Sequence, residues 1–280
     1  MARVRVALAQ ISSRIGDVPS NLEKHARLIR EAASEGADLV VFPELSLTGY
    51  VLKDLAYEVA GPCREAVRRL MKEGEGVMSV VGFVEEVRDG VLRNSAAVIG
   101  PGKLVATVPK FYLPTYGLFE EGRYFAAGDP VRDLRAIDTS FGRIGITICE
   151  DLWHPEPAEA LVRMGAELLI CIASSPVRGV GQGPDGEPWI ARAWRSIVEA
   201  TALMNTVHVV FVNRVGPEDE EYFWGGSMVV GPDGSPVFKA PLYEEGLFFC
   251  ELDLWENARA RRFSSFRVHQ RDFHRLLSEL

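Results

Sequence analysis

The chain has 280 residues, enough for one large domain or two small ones, and 47% of them are hydrophobic, which fits a filled core and excludes disorder. Its 31 basic and 39 acidic residues leave a net charge of −8, so the cationic footprint of a nucleic-acid binder is missing. No apolar run reaches the ~18 residues that span a bilayer.

The first residues read as a strand and lack the apolar core and cleavage site of a signal peptide. Four cysteines (Cys63, Cys149, Cys171, Cys250) stand too far apart for a disulfide scaffold or a zinc site. A reduced, cytoplasmic protein with no membrane or nucleic-acid partner is the expectation.

Residues 4–10 predict a strand. Ser20 is the expected N-cap of the next helix, with Glu23 completing a capping box, and Gly36 stops it. Residues 38–43 form a continuous apolar strand, of the kind buried on both faces, that ends at Glu44. A helical pattern covers 56–73. Strands over 77–86 and 91–99 follow, joined across Asp89-Gly90, and another over 103–108 ends at Lys110.

The irregular stretch 111–129 is rich in aromatic residues and glycine, and loops of that length are usually functional. Residues 143–148 then run as an apolar strand into Cys149-Glu150-Asp151-Leu152-Trp153. A helix over 155–165, a strand over 167–173 and a glycine- and proline-rich loop over 174–188 come next. Trp189, Ala193, Trp194, Ile197, Thr201 and Met204 mark a further helix of near 3.6 period. Strands are expected over 207–212, 226–230, 237–240 and 246–252, before a basic tail over 254–280 that is helical at its end.

No linker or composition change divides the chain, and helices flank strands in both halves. The expected architecture is α/β, a four-layer α-β-β-α sandwich forming one domain over 1–280, rather than a doubly wound single sheet.

Three reactive side chains stand at equivalent places: Glu44, Lys110 and Cys149 each follow an apolar strand. Ligands bind at the carboxyl ends of strands in α/β folds, so the three can share one pocket. Alone, Cys149 can be a nucleophile or one more buried thiol, and its place near a helix N-terminus predicts a lowered pKa. Alone, Glu44 and Lys110 can be solvated strand-end residues. Together they form a hydrolytic set: a carboxylate to take the thiol proton, a thiolate to attack, and an ammonium plus a backbone N–H to stabilise the charge that develops.

Three motifs carry a resemblance. Phe42-Pro43-Glu44-Leu45-Ser46-Leu47-Thr48-Gly49-Tyr50, Lys110-Phe111-Tyr112-Leu113-Pro114 and Cys149-Glu150-Asp151-Leu152-Trp153 resemble the nitrilase, or carbon–nitrogen hydrolase, superfamily. The resemblance implies Glu44 as base, Lys110 as stabiliser of the intermediate, Cys149 as nucleophile, and a homodimer or higher homo-oligomer. It also implies a second acidic residue in the Lys110 loop, Glu121 first, with Glu120 the alternative.

Residues 110–125 look more narrowly like the glutaminase domain of glutamine-dependent NAD synthetases. The phosphate loop of the synthetase half has no counterpart here, so a stand-alone glutaminase, feeding a separate NAD synthetase, is one expectation. On this likeness Tyr116, Glu150, Trp153, and Ser174 or Ser175 line the substrate pocket, and Arg178 pairs with a substrate carboxylate. An aliphatic amidase, an N-carbamoyl amidohydrolase and a nitrilase are the alternatives, because they share the same attack. No cofactor is implied.

Two other chemistries fit poorly. A cysteine–histidine hydrolase would need His154, only five residues on, or His208, which sits in an apolar strand as a core residue would. A metal held by Cys149, Glu150, Asp151 and His154 would mix soft and hard ligands at awkward spacing. A non-catalytic binding module is the remote alternative.

Overall fold

The computed structural model describes residues 3–74, 76–177 and 186–264. In chain order the first half comprises β1 (Arg3–Gln10), α1 (Val18–Ser34), β2 (Leu39–Val41), α2 (Leu55–Glu73), β3 (Met78–Arg88), β4 (Val91–Gly100) and β5 (Lys103–Pro109). Two short helices, α3 (Glu121–Tyr124) and α4 (Pro130–Asp133), follow. The second half comprises β6 (Ile137–Thr139), β7 (Gly142–Ile148), a 3-10 turn (Cys149–Trp153), α5 (Pro155–Arg163), β8 (Leu168–Ala173), α6 (Trp189–Asn205) and β9 (His208–Asn213). It closes with β10 (Val215–Glu218), β11 (Glu221–Trp224), β12 (Met228–Val230), β13 (Pro236–Lys239), β14 (Gly246–Asp253) and α7 (Trp255–Arg262).

Two mixed sheets of six strands face each other, in the orders β14-β1-β2-β3-β4-β5 and β13-β12-β9-β8-β7-β6. In the first, β1, β2 and β3 are parallel and the rest antiparallel; in the second, β7, β8 and β9 are the parallel centre. Strand alternation divides the apolar residues between two cores. Val6, Leu8, Val41, Val80 and Val98 turn inward against Ile146, Ile148, Ile170 and Val210 of the opposite sheet. Ala7, Ala9, Val40 and Val81 turn outward under α1 and α2, meeting Leu22, Ala26, Val59 and Leu70. Helices α5 and α6 cover the outer face of the second sheet. The layers are α-β-β-α, as the sequence predicts, and the doubly wound alternative is excluded.

Several local expectations are corrected. Helix α1 begins at Val18, and Asp17, not Ser20, is its N-cap, the carboxylate accepting the Ser20 N–H at 3.1 Å. A proline in the first turn suits this start, because the missing N–H is one that would be unpartnered anyway. Strands β6, β10 and β11 had no prediction. The strand expected over 226–230 is shorter, beginning at Met228. His208 is a satisfied core residue as read, bonding Asn257 Oδ1 through Nδ1 at 2.7 Å. The expected terminal helix beyond residue 264 lies outside the described residues. Among the described residues, no helix is long and apolar enough to cross a membrane.

Candidate active site

The carboxyl ends of β2, β5 and β7 deliver Glu44, Lys110 and Cys149 to one place between the sheets. Glu44 and Lys110 are fully buried. Lys110 Nζ lies 2.6 Å from Glu44 Oε1 and 2.6 Å from Glu121 Oε1. Glu44 Oε1 also accepts from Asn94 Nδ2 at 2.7 Å, and its Oε2 accepts the Ser174 N–H at 2.8 Å. Such a carboxylate is tolerated in a core because its lone pairs are used.

Glu121 is buried and accepts the Tyr50 hydroxyl at 2.5 Å, while its Oε2 has no partner. Glu120 is exposed and pairs with Arg123 at 3.6 Å. Of the two acids left open by the sequence, Glu121 therefore makes the Lys110 contact.

Two backbone features set the geometry. Leu45 and Cys149 both take left-handed φ, 48° and 47°, uncommon for non-glycine residues and a sign of local strain held by the surroundings. Gly82 of β3 lies under the Glu44 turn. A Cβ there would stand 2.3 Å from Leu45 N and 2.4 Å from the Pro43 carbonyl, so only glycine lets the turn settle this low.

Asp151 joins the other two motifs. Its Oδ1 accepts the Phe111 and Tyr112 N–H groups at 2.9 and 2.8 Å, and its Oδ2 accepts the Ile148 N–H at 3.0 Å. The Cys149 turn and the Lys110 loop are thereby tied through one carboxylate.

Burial dominates the electrostatics. It pushes the Cys149 thiol well above its ordinary value; Glu44 adds to the rise and Lys110 offsets only part of it. The expected lowering is thus corrected: a single 3-10 turn in a dry site beside a carboxylate does not outweigh desolvation. Burial pulls Lys110 down, but Glu121 and Glu44 together hold it well above the ordinary lysine value. Burial pushes Glu121 up to about 7 against the pull of Lys110. It also pushes Asp151 up to about 7 against its backbone donors.

A pocket of about 610 Å³, counting its open mouth, reaches Cys149. Tyr116, Glu150, Trp153 and Ser175 line it as expected, together with Trp189 and Trp194. The Tyr116 hydroxyl lies 3.0 Å from both Glu150 carboxylate oxygens. Ser175 Oγ accepts the Trp194 indole N–H at 2.9 Å. Ser174 is turned elsewhere: its hydroxyl donates to the Glu44 carbonyl at 2.8 Å. Arg178 lies outside the described residues. Cys149, Glu150, Asp151 and His154 do not converge as metal ligands, for Asp151 is taken up by backbone donors and His154 stacks on Tyr112 with ring centroids 3.7 Å apart.

Sequence reasoning missed Asn94, Tyr50 and Trp194. Asn94 left little signal, standing between Arg93 and Ser95 in the polar part of its strand; only its burial shows that the amide needs a partner. Tyr50 belongs to the Glu44 motif, but nothing in the sequence assigns it a role.

A family model described as Carbon-nitrogen hydrolase matches residues 5–262. The glutamine-dependent NAD(+) synthetase of Thermotoga maritima is 36% identical over 266 residues, covering 92% of this chain and 44% of that enzyme. The chain thus spans less than half the length of this curated relative. A carbon-nitrogen hydrolase structure from Helicobacter pylori G27 superposes with a TM-score of 0.88 at 25% identity, covering 99% of both chains. A variant of the amidase from Nesterenkonia sp. AN1, with the acetamide moiety of fluoroacetamide covalently added at its active-site cysteine, gives a TM-score of 0.78 at 25% identity over 95% of this chain and 97% of its own.

Proposed function

Because the chain belongs to the carbon–nitrogen hydrolase family, we propose that it cleaves the carboxamide of a small amide through a thioester on Cys149, releasing ammonia, with glutamine as its first substrate. The observation that carries this reading is the buried contact of Lys110 with both Glu44 and Glu121, set beside a thiol that opens onto an aromatic pocket.

In the resting site Cys149 keeps its proton. Glu44 accepts that proton as Sγ bonds to the amide carbon, so attack and deprotonation are coupled. The oxyanion is stabilised by the Lys110 ammonium and the Glu150 backbone N–H. Glu121 steadies Lys110 from its second side. Glu44 returns the proton to the amide nitrogen, ammonia leaves, and a thioester remains. Glu44 then takes a proton from water as that water attacks, and the acid and the free thiol are regenerated. The residues 1–280 are read as one domain dedicated to this cycle.

The pocket supports a substrate carrying a cation. Glu150, held by Tyr116 at the pocket edge, suits an α-ammonium group, and the apolar walls suit a short methylene chain. The likeness to the glutamine-dependent NAD(+) synthetase of Thermotoga maritima favours an NAD synthetase as recipient of the ammonia. A free-standing amidase is the second reading, supported by the near-complete overlap with the Nesterenkonia enzyme.

Ammonia release is to be measured for glutamine, asparagine, short aliphatic amides, N-carbamoyl amino acids and nitriles. Glutamine should be fastest, and mass spectrometry should find an acyl adduct on Cys149. Cys149→Ala should abolish both signals. Glutamine turned over no faster than acetamide would replace the glutaminase reading with the amidase one.

A further inference from the structure

The ribbon β10–β11 belongs to neither large sheet, and nothing in the chemistry above uses it. Yet it carries a buried ion pair. Arg214 and Glu218 have side chains only 1% exposed, and Arg214 Nη2 lies 2.7 Å from Glu218 Oε2. Burying such a pair is rarely a route to stability, because desolvation offsets the attraction. Nε and Nη1 of Arg214 are buried without a hydrogen-bond partner, which adds to the cost. Some buried pairs instead serve to specify one conformation.

The remaining contacts show what is specified. Glu218 Oε1 accepts two backbone donors from the Glu44 loop, the N–H groups of Tyr50 and Val51, each at 2.7 Å. Gly49 makes room for this: a Cβ there would stand 2.4 Å from Glu218 Oε2. Arg214 Nη2 also donates to the Ser13 carbonyl at 2.7 Å, which anchors the pair to the first sheet's side. The Phe223 ring of β11 lies 4.8 Å from the guanidinium carbon and meets the Tyr50 ring edge-on at 6.2 Å. Tyr50 is therefore fixed at its backbone and its ring, and its hydroxyl reaches Glu121.

We propose that Glu218, clamped by Arg214, is a positioning residue that holds Tyr50 so that its hydroxyl fixes Glu121 against Lys110. The proposal rests on the catalytic reading of Lys110 given above. Glu218 touches no reacting atom; it acts through Tyr50.

A double-mutant cycle tests this. Glu218→Gln keeps the size of the side chain, but its amide cannot accept from the Tyr50 and Val51 N–H groups and also face the Arg214 donors with an oxygen. Glu218→Gln and Tyr50→Phe are each expected to lower kcat for glutamine about tenfold with KM changed by less than about twofold, and the double variant to be no worse than the poorer single one. The second-order rate of Cys149 alkylation by iodoacetamide, measured on the same four proteins, should show the same non-additivity. That readout needs no substrate, so it distinguishes failure of the positioning role from failure of the glutaminase reading. Losses that multiply in the double variant, or a Glu218→Gln protein with unchanged kcat and alkylation, would overturn the proposal. If Glu218→Gln does not fold, Arg214→Lys takes its place in the cycle, with the same expectation and the same overturning result.

Discussion

Cys149 is the residue whose behaviour departs most from what its sequence context suggests. A thiol at a strand end before a helix reads as a preformed thiolate, whereas burial and Glu44 keep it protonated. Its alkylation rate should therefore climb steadily past pH 9, the ordinary thiol value, with no plateau near neutrality. Iodoacetamide kinetics followed by mass spectrometry check this, and a rate already saturated at about pH 6 would contradict it. Asn94 supplies a second test. It donates to the same Glu44 oxygen as Lys110 does, so Asn94→Ala should lower kcat about tenfold while leaving KM nearly constant, as expected for loss of one hydrogen bond to a charged group. The three reactive residues were legible because each breaks an apolar run. Their partners were not, because Asn94 and Ser174 lie 50 and 130 residues from Glu44, and only the closed sandwich brings them to it.

At the scale of elements, the site depends on a turn pressed onto a strand. The Glu44 turn rests on Gly82, whose missing Cβ leaves room for the Pro43 carbonyl and Leu45 N–H. Gly82→Ala should lift that turn by a few tenths of an ångström or more and cost at least about a hundredfold in kcat/KM, as small displacements of catalytic groups do. Steady-state kinetics together with a cooperative melt check it; a folded variant with normal activity would show that the turn has slack. The long apolar strands and amphipathic helices were readable from period alone. The ribbon β10–β11 was not: its strands are four residues each, carry Gly216, Pro217 and two glutamates, and give no alternation. The cap of α1 was misplaced by three residues because Asp17 and Ser20 both carry cap chemistry and only the backbone decides between them.

For the whole molecule, the buried acids give stability an unusual slope. Glu121 and Asp151 are both pushed up to about 7, from 4.5 and 3.8. Below the unfolded values both states bind the proton, and between those values and 7 only the folded state does. Their contribution is thus fully present at low pH and is lost as pH rises through 7. His25 runs the other way: burial pulls it down to about 4, so its contribution is present above 6.5 and is lost as pH falls through 4. In Glu121→Gln one of the acidic slopes is gone. The Tm of that variant minus that of the native protein should increase between about pH 5 and 8, as scanning calorimetry at several pH values would show; a difference that shrinks would contradict the raised Glu121 value.

The Cys149 proton also has a chemical consequence outside catalysis. Thiolates, not thiols, attack peroxide oxygen, so the first step towards sulfenic acid needs an exposed anion. On the proposed mechanism a thiol 8% exposed gives its proton to Glu44 only as its sulfur attacks a substrate, so it is poorly available to oxidants while idle. On that reading the carboxylate proposed to take the Cys149 proton during attack also keeps the idle thiol protonated, and so away from oxygen chemistry.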